Sequence, residues 1–210
     1  MKLYDYTAAP NPRRARIFIA EKGLQIETVQ VDIGPAAEQH GEAFLAINPR
    51  ATVPVLELDD GTRITENNGI AAYLEALNPD PPLLGTTPEE KGMVAAWQSH
   101  VEIEGLRPVA DAFRNGSKGF VGRATVGTSS YEQIAALAER GRAQATEFFA
   151  MLDQRLGESE YLAGARFSIA DITALVAVDF AGWIKLGLAD DQKNAQRWYD
   201  AVSKRPSASA

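Results

Sequence analysis

The chain has 210 residues, 45% of them apolar and 23% charged, the balance of an ordinary globular protein. A formal net charge of -7 argues against nucleic acid as a main partner, because phosphate neutralisation needs a basic face. With no cysteine and only two histidines, disulfides, thiolate zinc sites and a cysteine nucleophile are excluded and a histidine-rich metal site is not expected. Any thiol chemistry therefore depends on a thiol brought by a ligand. No apolar run approaches the ~20 residues of a membrane helix. Asp5, Pro10, Pro12 and the nearby arginines forbid a signal-peptide core, so a cytoplasmic location without membrane attachment is the expectation.

Residues 2–6, rich in tyrosine, predict a first strand. A turn over residues 7–11 leads into a helix in which Asn11 is the N-cap, Pro12 the first helical residue and Gly23 the stop. Residues 26–32 alternate and predict a second strand, and a segment with Phe44 and Leu45 precedes a third, over residues 53–58. Proline cannot sit inside a central strand, so Pro54 begins this one or lies at its edge. The turn Asp59-Asp60-Gly61-Thr62 and the short strand Arg63-Ile64-Thr65 follow. Glu66-Asn67-Asn68-Gly69 then starts a helix carrying Ile70, Tyr73, Leu74 and Leu77, with Asn67 or Asn68 as cap.

Residues 78–84, with three prolines, are the clearest linker. Beyond them the pattern is helical. A long helix runs over residues 88–114 with a kink at Pro108, and residues 116–130, with four glycines, predict a mobile loop. A second long helix covers residues 131–156. Ser168 and Asp171 form a capping box opening an almost wholly apolar, central helix to about residue 186, and residues 193–202 form the last helix.

The stretch from residue 48 to 74 has the means to hold a ligand. A cis Val53-Pro54 bond turns the Val53 N–H and C=O outward to pair with an extended molecule. Glu66 offers a carboxylate to an ammonium group, while backbone N–H groups and the Asn67 amide at a helix start offer donors to a carboxylate. A ligand with an amino-acid head and a peptide-like body fits both ends. The other reading of the same residues is a hairpin followed by a capped helix.

Asn48-Pro49-x-x-x-Val53-Pro54-x-Leu56, then Thr65-Glu66-Asn67-x-x-Ile70-x-x-Tyr73-Leu74, resembles the glutathione S-transferase family, as do the Phe167-Ser168-Ile169-Ala170-Asp171 box and the helical second half. The resemblance covers essentially the whole chain. It implies an α/β thioredoxin-like N-terminal domain (1–77) followed by an all-α C-terminal domain (88–210), joined by a linker at 78–87. It also implies a homodimeric detoxifying transferase with glutathione as co-substrate and no further cofactor, whose thiolate attacks a small electrophile held between the domains. By this resemblance Val53, before Pro54, pairs with the cysteinyl part of glutathione, and Glu66 and Asn67 hold the γ-glutamyl head. Serine is usual at position 67, although asparagine also donates and accepts.

The activating residue lies in the turn after strand one, where the family uses Tyr, Ser or Cys. Ala9 falls where one class keeps its serine. Pro10-Asn11-x-x-x-x-Ile17 resembles the bacterial nu class, in which asparagine contacts the sulfur; the threonine of that class aligns with Ala9, and Thr7 is its substitute here. Tyr6 is the rival donor if the turn is shorter, and otherwise a core residue. Arg50 and His40 are the candidates for the glycyl carboxylate, with Ala51 where some classes keep histidine. Arg13, His100, Phe113 and Arg114 are candidates for the second-substrate pocket, each with helix packing or solvation as its other reading. Two further functions stay open: glutathione-dependent reduction of a disulfide, in which bound glutathione itself attacks, and a non-catalytic glutathione-binding module.

Overall fold

A computed structural model describes residues 1–34 and 36–210. Contacts divide the chain into two compact units: Met1–Pro81 with Val126–Ser129 and Ala210, and Pro82–Thr125 with Ser130–Ser209.

In the first unit the order is β1 (Lys2–Asp5), α1 (Pro10–Glu21), β2 (Glu27–Gln30), a 3₁₀ turn (Glu38–His40), α2 (Glu42–Leu45), β3 (Val55–Glu57), β4 (Arg63–Thr65) and α3 (Asn67–Leu77). The four strands form one sheet in the order β2-β1-β3-β4. β1 and β2 are parallel, while β3 runs antiparallel to both β1 and β4. Tyr4 stands opposite Val55, and Val55 opposite Thr65. The end of β1, the start of β3 and the end of β4 therefore meet at one end of the sheet. This is the β-α-β-α-β-β-α order expected of a thioredoxin-like domain.

The start of α1 corrects the predicted cap. The N-cap is Ala9, in extended conformation and without a side-chain hydrogen bond, so Asn11 is the second helical residue. Pro10 and Pro12 both fit the first turn, where a backbone N–H has no helical partner to lose. Helix α3 makes the same correction to Asn67 and Asn68. Its N-cap is Glu66, again with no side-chain bond, and both asparagines lie inside the first turn.

The second unit holds α4 (Pro88–His100), α5 (Arg107–Gly116), α6 (Ala135–Glu158), α7 (Ile169–Gly182) and α8 (Lys193–Val202). Between α4 and α5 the chain does not kink simply at Pro108 but winds through a π-helical turn, Val101–Leu106. Widening the helix just before a proline relieves the clash of its ring with the preceding turn. The segment 116–130, expected to be mobile, is tied down: Arg114 Nη1 donates to the carbonyls of Arg123 (2.7 Å) and Thr125 (3.1 Å). Gln133 Nε2 likewise holds the carbonyls of Arg114 and Ser117, and Tyr131 bridges to Arg123, which delays the start of α6 to Ala135. The capping box of α7 is present, and twelve of its residues are buried, as its apolar sequence requires. Among the described residues no helix is long and apolar enough to cross a membrane.

Candidate functional site

The sheet end where β1, β3 and β4 meet carries three segments: the turn into α1, the Val53-Pro54 step and the step from β4 into α3. A network anchored on the buried Asp5 sets the first. The carboxylate of Asp5 accepts from Arg16 Nη1 at 2.5 Å and from Gln30 Nε2 at 2.7 Å. Gln30 Oε1 in turn accepts both the backbone N–H and the hydroxyl of Thr7, each at 2.9 Å, and Arg16 Nη2 donates to the Thr7 carbonyl at 3.0 Å. The Thr7 hydroxyl proton is thus committed within the fold. Tyr6 packs beside Tyr4 against Val31, Phe44, Val53 and Val55, the position of a core residue.

Asn11 differs from both. Pro10 and Pro12 remove the N–H groups on either side of it, so its own N–H is the lone orphan donor among the first three helical residues. Its Oδ1 accepts from Arg14 Nη1 and from Asn67 Nδ2, both at 3.0 Å. Among the described residues neither its backbone N–H nor its Nδ2 has a protein partner. Two free donors at the positive end of a helix suit a thiolate.

The Val53-Pro54 bond is cis, as expected. The Val53 side chain is buried in the core, and no hydrogen bond among the described residues uses its N–H or C=O. The turn that presents it rests on Asn48, a buried side chain that sequence reasoning left without a role. Its Nδ2 donates to the Thr52 carbonyl (2.8 Å) and hydroxyl (3.0 Å), and its Oδ1 accepts the Arg50 N–H at 3.1 Å. The Asn-Pro pair at 48–49 was the available signal.

Glu66 sits at φ 65°, ψ 138°, a conformation that strains any residue with a Cβ. The following Asn67 is buried against Asn11, whereas the Glu66 carboxylate is exposed. Asn67 Oδ1 is buried and has no partner. The structure therefore brings Asn11 and Asn67 into direct contact and places Val53 and Glu66 on adjoining segments of the same sheet end. Arg50 and His40 have exposed side chains in neighbouring turns.

The remaining candidates lie on α1 and on the helices of the second unit. Arg13 is half-buried on α1. His100 is exposed, with Nδ1 at 2.7 Å from Glu104 Oε1 and its ring against Trp97. Arg114 is the clip of the 116–130 segment already described, stacked over Phe120. Phe113 joins Phe120, Phe180 and the half-exposed Trp183 in an edge-to-face aromatic group with centroids 5.0–5.4 Å apart. Asp171, read as structural, is fully buried, and burial pushes its carboxyl up to about 6. Arg14 is the residue the sequence reading passed over. Its signal was spacing: it lies three residues after Asn11 and three and four before the buried Ile17 and Phe18, an arginine on the apolar stripe of α1.

Known proteins with this architecture carry the comparison further. Residues 8–77 match the family model for the glutathione S-transferase N-terminal domain, and residues 94–206 that for the glutathione S-transferase C-terminal domain. The chain is 36% identical to glutathione S-transferase 2 of Saccharomyces cerevisiae, over 99% of this chain and 87% of the relative. A solved glutathione S-transferase domain-containing protein from Marinobacter aquaeolei VT8 superposes with a TM-score of 0.91 at 36% identity, covering 99% of each chain. The crystal structure of Gtt2 from Saccharomyces cerevisiae gives 0.90 at 36% identity, over 99% of this chain and 98% of that one. Two family models across both halves and full-length relatives above 30% identity place this chain in the glutathione S-transferase family.

Proposed function

We propose that this transferase holds glutathione along the sheet end and makes its thiol nucleophilic at Asn11. The observation that carries the reading is the pair of donors Asn11 leaves without a protein partner at the start of α1. A free thiol has a pKa of about 8.5, and lowering it by two units takes roughly 2.7 kcal/mol of selective thiolate stabilisation. A helix N-terminus supplies about 0.3–1 kcal/mol. Each hydrogen bond to a charged group adds about 1.5–3 kcal/mol, so two donors from one residue suffice.

In this reading the Val53 N–H and C=O pair with the cysteinyl backbone, Glu66 takes the γ-glutamyl ammonium, and Arg50 or His40 takes the glycyl carboxylate. The thiolate then attacks an electrophilic carbon of a small molecule, giving a thioether and releasing or protonating the displaced electron pair. Thr7 is the weaker donor because its proton is given to Gln30. The aromatic group around Phe113 supports an apolar second-substrate contact. A cytoplasmic homodimer is the form in which we expect the protein to work.

The test is an ultraviolet titration of the bound thiolate against pH. Wild type should show a thiol pKa well below that of free glutathione, and Asn11→Ala should return it close to the free value. Glutathione that binds with an unshifted pKa in wild type would overturn the activating role. Turnover on an aryl halide should exceed turnover on a small disulfide.

A further inference from the structure

We propose that Arg14 is a positioning residue that sets the direction of a chain of two side-chain amides, Asn11 and Asn67, so that nitrogen and not oxygen faces the glutathione sulfur. The proposal rests on the reading of Asn11 given above.

Donors and acceptors fix the direction of each amide. A guanidinium has five N–H donors and no acceptor, so the Asn11 atom 3.0 Å from Arg14 Nη1 has to be its oxygen. Arg14 is itself only 6% exposed, and its position one turn along α1 from Asn11 is fixed by the helix. With the Asn11 oxygen facing inward, the Asn67 atom that meets it at 3.0 Å has to be nitrogen. Asn67 Oδ1 is consequently turned away, into a place where it is buried and unpartnered.

For the Asn11–Asn67 pair alone a second arrangement makes the same hydrogen bond. If both amides flipped, Asn67 Oδ1 would accept from Asn11 Nδ2, and the Asn67 NH₂ would take the buried, unpartnered place. Nothing in the pair itself prevents this. Arg14 does, because a flipped Asn11 would set its NH₂ against the guanidinium. The flip would also turn the Asn11 oxygen toward the ligand, and an acceptor beside a sulfur raises its pKa where a donor lowers it. Arg14 therefore selects the amide polarity that serves a thiolate, without touching the ligand.

The experiment titrates the bound thiol in wild type, Asn11→Ala, Arg14→Met and Arg14→Lys. Arg14→Met removes every donor while keeping an unbranched chain, and should raise the bound pKa by about one unit or more, with kcat/KM falling about tenfold or more and KM for glutathione moving less. Arg14→Lys keeps a donor and no acceptor, and should stay close to wild type. A purely structural role would lower the melting temperature of Arg14→Met and leave the bound pKa in place. That result, alongside a pKa raised by Asn11→Ala, would overturn the positioning role while leaving the activating role intact. A pKa unmoved by Asn11→Ala would overturn both.

A second measurement needs no variant. In ¹⁵N-labelled wild type, the Asn67 side-chain amide protons should exchange slowly, and those of Asn11 should exchange fast and shift on adding glutathione. Asn11 amide protons that exchange slowly and do not shift with glutathione would overturn the proposed polarity.

Discussion

A lysine with a wholly buried side chain must have its ammonium surrounded, and Lys22 at the end of α1 does. Its Nζ pairs with the Glu75 carboxylate and donates to the carbonyls of Asn78 (2.8 Å) and Pro81 (2.5 Å) just past α3. Lys22→Met leaves Glu75 and these carbonyls without their cation, so it should cost about 3 kcal/mol, read as a lower urea midpoint with an unchanged slope. Asp171 makes a different prediction. Its carboxylate accepts from the Leu162 N–H, the Ser168 N–H and hydroxyl, and the Trp198 indole N–H, all at 3.0 Å, yet burial outweighs these bonds and raises the pKa from 3.8 to about 6. A raised folded-state pKa means that the group's contribution is complete below about pH 4 and is lost as the pH rises through 6. The difference is about 3 kcal/mol. Asparagine carries no such titration and sets an NH₂ against those donors. The stability gap between wild type and Asp171→Asn should therefore shrink between pH 4 and pH 7 in urea unfolding; a constant gap would show that the carboxyl does not titrate with folding. Of these residues Asp171 was legible in the sequence, because a capping box has a fixed spacing. Lys22 and Arg14 were not, since a cation in a helix is normally solvated and only three-dimensional packing reveals that these two are enclosed.

Elements were legible where their ends are punctuated. β4 and α8 lie where the turn residues and the charged flanks put them. The start of α1 was misplaced because two prolines and an asparagine satisfy the capping rule at more than one position, and the helix takes the earlier one. The π-helical turn left no trace in the apolar pattern, because it adds a residue to a turn without changing which residues are apolar. Its consequence is packing. Gly105, inside that turn, faces the ring of Phe148, where an added Cβ would lie 2.6 Å from ring atoms. On α6, Gly141 meets the backbone of α5: a Cβ there would lie 2.5 Å from the Pro108 oxygen and 2.9 Å from the Ala112 nitrogen. Backbone cannot step aside, so Gly141→Ala should destabilise by about 1–3 kcal/mol even though alanine is the better helix former. Gly92, exposed on α4 with nothing near its would-be Cβ, is the control, and Gly92→Ala should stabilise by up to about 1 kcal/mol in the same thermal unfolding assay.

At the scale of the molecule, all three segments proposed to hold glutathione belong to the first unit. Ligand binding should stabilise the folded chain by mass action, by about 2.7 kcal/mol at a hundred times Kd. The rise in melting temperature should be lost in Glu66→Ala and kept in Asn11→Ala, separating holding the ligand from activating it. A shift retained in Glu66→Ala would move the γ-glutamyl contact elsewhere. The family was legible because its motifs are local in sequence. A second-substrate pocket was not, because its candidates lie on helices of ordinary amphipathic pattern, where packing and binding use the same residue types.

The proline after Asn11 has one more effect, on how the protein ages. Asparagine converts to aspartate when the backbone nitrogen of the next residue loses its proton and attacks the side-chain carbonyl, closing a succinimide. Pro12 has no N–H to lose, so this ring cannot form at Asn11. Asn68, exposed and followed by Gly69, has no such protection. Of the two positions, the one proposed to face the thiolate, where deamidation would set a carboxylate, is the one where that chemistry is blocked.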